Sequence, residues 1–160
     1  MNSKLKIKNP KLPFVLVNFA MTADGKIAFA DHTFVPFGSK RDREHMMELR
    51  ATADAVMSGA RTINESGAVM GTGGAKYRRL RIKHDLAEYN LRVIISGSGS
   101  VNPNATIFKK CFSPIIILTT ERIPKTKLKK LQALADEVKV FRKNEITFPA
   151  ALRCSAKNGA

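Results

Sequence analysis

Three short stretches of this chain carry residue types suited to holding an anion: Asp24-Gly25-Lys26, Ser58–Thr62 and Ser96–Ser100. Each follows an apolar run, respectively Phe14–Phe19, Ala55–Met57 and Leu91–Ile95, of a length that suits a buried strand. In a parallel sheet all three would lie on the carboxyl edge, where open α/β sheets bind their ligands. Small residues and glycines at such an edge let backbone N–H groups approach a phosphate. Gly25 also permits a tight turn between the opposite charges of Asp24 and Lys26. A solvated turn is the plainer account of an isolated Asp-Gly, so the shared register of the three stretches carries the inference.

Two further features compete for attention. Arg50 falls one helical turn after Met46 on a mostly apolar helix face, where a buried cation pairs with a carboxylate more often than it grips a ligand. Gly71-Thr72-Gly73-Gly74 has no strand before it and no GxGxxG spacing, so it is expected to be a flexible surface loop. Other chemistries lack their residues. His32, His45 and His84 are scattered, Cys111 and Cys154 stand in no ligand spacing, and no metal site is expected. There is no GxSxG elbow, P-loop or zinc-deaminase signature. An enzyme of this composition would borrow its chemistry from a cofactor.

The elements that must position these residues alternate in type. Phe14–Phe19, apolar except for Asn18, suits a central strand covered on both faces. Phe29–Gly38, with Phe29, Phe34 and Phe37, is expected to fold over something apolar. Ser39 is a good N-cap for a helix whose inward side carries Met46, Met47, Leu49 and Ala53. Asp54–Ser58 is a short strand ended by Gly59, and glycine-rich Thr62–Ala75 is expected to be a loop. Lys76–Lys83 is a basic, solvated run. Leu91–Ile95, Ile115–Leu118 and Val138–Phe141 are strands. Lys125–Asp136 is a helix with Leu128, Leu131, Leu134 and Ala135 inward, and Thr147–Lys157 opens another, with Pro149 in its first turn. Alternating strands and helices predict an α/β sandwich with a mainly parallel sheet.

With 160 residues and 44% apolar composition the chain can bury one core. Residues 1–12 form a basic arm, and residues 13–160 form the domain. Twenty-eight Lys and Arg against thirteen Asp and Glu give +15, which favours anionic partners. Two cysteines without a framework suggest a reducing, cytoplasmic setting, and no run is long enough to span a bilayer. A non-catalytic basic module that binds nucleic acid or another polyanion is the alternative reading, but few aromatics are available for base stacking.

Three segments together resemble a known family. Phe14–Ala28, Leu49–Ile63 and Leu91–Gly99 are similar, in order, to the signatures of the riboflavin-biosynthesis pyrimidine reductases, the reductase domain of the bifunctional deaminase-reductase. The resemblance implies a dihydrofolate reductase-like fold, a three-layer α/β/α sandwich. It implies NADPH-dependent reduction of the ribosyl group of 5-amino-6-(5-phosphoribosylamino)uracil, or of the related diaminopyrimidine, to ribityl. By the same resemblance Asp24, Arg50 and, more weakly, Ser39 face the substrate, while Thr62, Ser96, Gly97 and Ser98 contact NADPH. Where the family carries an acidic residue followed by proline, this chain has Ser66-Gly67. The family continues into a strand and a Glu-Gly-Gly loop, so a C-terminally truncated domain with weak NADPH binding and poor or no turnover is expected, and a homodimer only with the remaining strands present.

Overall fold

The computed structural model describes residues 13–27, 29–30, 38–142 and 145–157. Helix α1, Lys40–Ala51, starts where the sequence predicts: the Ser39 hydroxyl accepts the Asp42 amide at 3.1 Å and satisfies one of the orphan N–H groups of the first turn. It is followed by β1 (Ala55–Gly59), α2 (Ala60–Ser66), α3 (Ala75–Lys83) and β2 (Leu91–Ile95). After a 3-10 turn at Thr106–Lys109 come β3 (Ile115–Thr120), α4 (Lys125–Gln132), β4 (Glu137–Phe141) and α5 (Phe148–Lys157).

The four strands form one parallel sheet in the order β1-β2-β3-β4. Sequential parallel strands joined by right-handed crossovers place their connections on one face. That face holds a core of Ala60 and Ile63 from α2, Ile94 and Ile117 from the sheet, Ile107 from the 3-10 turn and Leu131 from α4. Alternate strand residues point the other way. Leu91, Val93, Ile116 and Leu118 meet Ala151 of α5 in a second cluster. The predicted α/β architecture with a parallel sheet is therefore observed.

Local expectations differ from the structure in several places. Phe14–Phe19 forms no strand, and its apolar side chains are exposed. It has no ladder partner among the described residues, and without a neighbouring strand a mostly apolar run has no face to bury against. The glycine-rich stretch from Thr62 is a loop only after α2 ends at Ser66. Gly67 then takes a left-handed φ of 62° and stops the helix. Helix α4 ends at Gln132, so Leu134, expected inward, is exposed. The basic arm, Phe34 and Phe37 lie outside the described residues.

Buried arginines tie the connections to the sheet. Arg81 is 1% exposed although it lies in the basic run expected to be solvated. Its guanidinium donates to the carbonyls of Arg50, Ala53 and Ala87, closing the C-terminal end of α1 against α3. Arg92, inside the apolar strand β2, donates to the carbonyls of Ile107 and Ser113 and lies over the Phe112 ring at 4.3 Å. Burial pulls the pKa of both below the ordinary arginine value, opposed by Asp54 near Arg81 and by Asp136 and Cys111 near Arg92. Guanidinium groups nevertheless stay charged, so each needs these carbonyl acceptors.

Candidate functional site

The register of the sheet fixes the candidate edge. Gly59, Ile95 and Leu118 form one row across β1, β2 and β3, so the residues that follow them leave the sheet side by side. Those residues include Thr62 in the first turns of α2 and the Ser96–Ser100 loop. Sequence spacing foresaw this pair of neighbours but not the third member expected with them, since Asp24-Gly25-Lys26 follows no strand.

The Ser96–Ser100 loop is held from several directions. The Ser96 hydroxyl accepts the Ser100 amide at 2.7 Å and lies 3.2 Å from the Ser100 hydroxyl, which folds the loop on itself. Gly97 presents its carbonyl to Thr120, accepting both the amide at 3.1 Å and the hydroxyl at 2.6 Å. Gly99 has a φ of 66° and lies so close to Ile123 that a Cβ would collide with it. On the other side Asn64 of α2 donates to the Ser100 carbonyl at 3.0 Å and accepts the Asn102 amide at 2.8 Å. Sequence reasoning missed Asn64, Thr120 and Ile123, because a polar residue in a short helix and a strand-end threonine carry no signal of their distant partners.

The loop leaves a few groups open. Neither the Thr62 nor the Ser98 hydroxyl makes a protein hydrogen bond among the described residues, while Ser96 is spent on Ser100. No atom lies within 4 Å of the position a Cβ would take at Gly59 or Gly97, so the backbone there is open to close approach. Two open hydroxyls beside two uncovered glycines form a donor set that fits the ribose and phosphate groups of a dinucleotide. Ser66 stands where the family resemblance calls for an acidic side chain. It turns inward, donating to the Thr62 carbonyl at 2.6 Å and accepting the Ala68 amide at 3.2 Å.

The residues expected to face a substrate are more dispersed. Asp24 sits in an exposed turn closed by Thr22 and Lys26, with the Thr22 hydroxyl 2.5 Å and the Lys26 ammonium 2.8 Å from its carboxylate. The Lys26 contact, then the Thr22 hydroxyl, hold the Asp24 carboxyl below its ordinary pKa. Gly25 supplies the turn's positive φ of 78°. Arg50 is half-buried, and burial lowers its pKa. It has no carboxylate partner among the described residues, contrary to the commoner pattern, and donates instead to the Gly71 carbonyl at 3.2 Å. Ser39 caps α1, and eleven residues of helix at 1.5 Å each separate it from Arg50 by about 16 Å. No hydrogen bond or ion pair among the described residues joins Asp24, Ser39 and Arg50.

The Gly71–Gly74 stretch is a loop, exposed at Gly73 and Gly74 as expected, but its first half is tied into the protein. Thr72 is buried and donates to the Asn90 side chain at 2.8 Å, and Asn90 donates to the Met70 carbonyl at 2.9 Å. A Cβ on Gly71 would lie 2.9 Å from the Phe112 ring. Gly71 and Gly73 allow close packing, against Phe112 and against Met47 and Tyr77, while Gly74 is open, and Arg50 is one of the groups that pin the stretch. Two open grooves lie away from the strand ends. One of about 640 Å³ is lined by Ser39, Arg41, Asp42, Glu44, His45 and Glu48. The other, about 260 Å³, opens at the amino ends of the strands beside Arg92, Cys111 and Asp136. The strand-end residues line neither. Among the described residues no helix is long and apolar enough to cross a membrane, and no cluster of His, Cys, Asp and Glu could hold a metal.

Comparison with known proteins matches residues 13–159 to a family model described as the RibD C-terminal domain. The chain is 24% identical over 144 residues to the 2,5-diamino-6-ribosylamino-4(3H)-pyrimidinone 5′-phosphate reductase of Aquifex aeolicus, covering 88% of this chain and 60% of that protein. It is 26% identical over 147 residues to the reductase of the same name from Archaeoglobus fulgidus, covering 92% of this chain and 66% of that one. A riboflavin biosynthesis protein RibD of Chlamydia trachomatis is 27% identical over 150 residues, covering 92% of this chain and 38% of the relative. The chain thus spans less than two thirds of each of these relatives. A solved pyrimidine reductase-like protein of Corynebacterium diphtheriae shares the fold with a TM-score of 0.62 at 18% identity, over 86% of this chain and 58% of its own.

Proposed function

This chain belongs to the RibD C-terminal domain family, and from that premise we propose that it is an NADPH-dependent reductase of riboflavin biosynthesis. Its substrate is a phosphorylated ribosylaminopyrimidine, the 2,5-diamino compound in the relatives' names or the corresponding 5-aminouracil. Conversion of ribosyl to ribityl breaks the bond from C1′ to the ring oxygen, adds a hydride at C1′ and places a proton on the released oxygen. NADPH supplies the hydride. The chain supplies positions: the Thr62 and Ser98 hydroxyls and the open backbone at Gly97 hold the cofactor, and Ser96 keeps the loop folded. Asp24 and Arg50 are the groups assigned to the substrate, a carboxylate for its hydroxyl or amino groups and a cation for its phosphate. Holding both partners against each other is the larger part of such catalysis.

The observation that carries this reading is the pair of unpartnered hydroxyls, Thr62 and Ser98, beside uncovered glycines at the ends of adjacent parallel strands. Incubating the chain with NADPH and the phosphorylated pyrimidine tests it. Loss of nicotinamide absorbance that depends on the pyrimidine, with appearance of the ribityl product, is the expected result. NADPH consumption indifferent to the pyrimidine, or neither consumption nor binding of NADPH, contradicts it.

A further inference from the structure

At the amino ends of the strands one buried cation has incomplete hydrogen bonding. Arg92 is 1% exposed, and its two terminal nitrogens are spent on the carbonyls of Ile107 and Ser113. Its Nε has no acceptor among the described residues, and the buried hydroxyl of Ser113 has no partner either. A buried donor left without an acceptor is costly, so the pair marks a place where a further polar group belongs.

Arg92 also forms part of the wall of the groove of about 260 Å³ that opens there. Lys110 and Cys111 stand in the same wall, and Cys111 is a free, exposed thiol. Asp136 is the one carboxylate of the groove, and its Oδ2 accepts the Ile115 amide at 2.8 Å. Negative charge on Asp136, and next on Cys111, favours the protonated form of Arg92, so the thiol lies within the field of the guanidinium. Lys109, exposed, precedes Lys110 in the chain and adds to that field. An exposed thiol among cations is the setting in which cysteines exchange with disulfides. Ala133 and Leu134 give the groove an apolar side that can cover the aliphatic part of a bound group.

We propose that Cys111 is a site of thiol–disulfide exchange, and that the groove takes a carboxylate-bearing low-molecular-weight disulfide whose carboxylate lies against Lys110 and Arg92. The Cys111 thiolate attacks one sulfur of the disulfide. The old S–S bond breaks, a new one joins Cys111 to one half of the reagent, and the other half leaves as a thiolate that takes up the proton Cys111 lost. Cys111 is oxidised and the departing half is reduced, so the disulfide is the only oxidant required. The groove lies at the opposite end of the strands from Thr62 and Ser98, and the proposal is independent of the cofactor reading.

The test uses the whole chain carrying Cys154→Ser, which leaves Cys111 as its one thiol. Adduct formation is followed by intact mass with oxidised glutathione, which bears carboxylates, and with cystamine, which bears ammonium groups and no carboxylate. Each rate is divided by that of the same chain unfolded in urea, which removes the intrinsic reactivity of the reagent and the effect of Lys109 and Lys110 as mere sequence neighbours. After this correction oxidised glutathione should react about tenfold faster than cystamine, the worth of one charge-assisted contact. Lys110→Gln should bring that ratio to about threefold or less. Leu134→Glu, which sets a carboxylate on the exposed wall, should abolish it. Lys76→Gln with Arg79→Gln, both exposed on α3, should leave it unchanged. Equal corrected rates for the two reagents overturn the proposal, and so does a preference that survives Lys110→Gln or Leu134→Glu. Loss of the preference in the α3 control assigns it to the general positive field and overturns the groove. A folded chain that forms no adduct at Cys111 overturns the proposal outright.

Discussion

Ile115–Leu118 in β3 and Phe14–Phe19 ahead of the Asp24 turn are both runs of large apolar residues, yet Ile117 is fully buried whereas Val17 is 66% exposed. The difference lies in neighbours. β3 has β2 on one side and β4 on the other, α4 on one face and α5 on the opposite one. Phe14–Phe19 has none of these among the described residues. An apolar run records that a segment can be buried; pairing on both sides decides whether it is.

This contrast is sharpest in stability. Ile117→Ala, which removes a side chain enclosed by the sheet and its helices, should lower the free energy of unfolding by about 2–5 kcal/mol in urea denaturation. Val17→Ala should change it by no more than about 0.5 kcal/mol. A loss at Val17 approaching that at Ile117 would mean that the N-terminal segment is packed in solution, and the contrast between the two regions would fail.

The buried arginines give the next largest effect. Arg81→Met leaves the carbonyls of Ala53 and Ala87 without a side-chain donor and the Arg50 carbonyl with only the Ala53 amide, which should cost about 3 kcal/mol. Arg50→Met removes one bond to Gly71 from a half-buried side chain, and about 1 kcal/mol is expected. If Arg50 also binds the substrate phosphate, this variant should weaken phosphate-dependent substrate affinity far more than it weakens the fold. Equal losses in both would leave Arg50 a purely structural residue.

The smallest effect belongs to the exposed turn. The Lys26 contact and the Thr22 hydroxyl lower the Asp24 pKa, so the ordering they provide is complete above the ordinary carboxylate pKa and is lost as pH falls through the lowered value. Carboxyl chemical shifts followed by NMR through an acid titration should therefore show Asp24 titrating below a free aspartate. A midpoint at or above the free value would mean that the turn does not persist in solution.

Local sequence made much of the sheet legible. Leu91–Ile95 has the bounds that its apolar run predicts, and Ser39 caps α1 as its residue type suggests. The edge shared by Thr62 and Ser96–Ser98 was legible too, because parallel strands order their ends. What was not legible depends on distant partners. Arg81 looks like one more solvated cation until the end of α1 arrives to receive it. Gly71–Gly74 looks flexible until Phe112, Asn90 and Arg50 close around it. Asn64 gives no hint of its span to Ser100 and Asn102. The same limit misplaced Phe14–Phe19, whose pattern says nothing of whether a neighbouring strand is present.

The central claim is that a dinucleotide occupies the carboxyl edge of this sheet. Mapping backbone amide shifts on titration with NADPH tests it most directly. The largest changes should fall on Gly59–Thr62 and Ser96–Ser100, with small changes along α3 and at Gly71–Gly74. Changes concentrated on the lysines of α4 or on the Gly71–Gly74 stretch, with the strand ends silent, would contradict it.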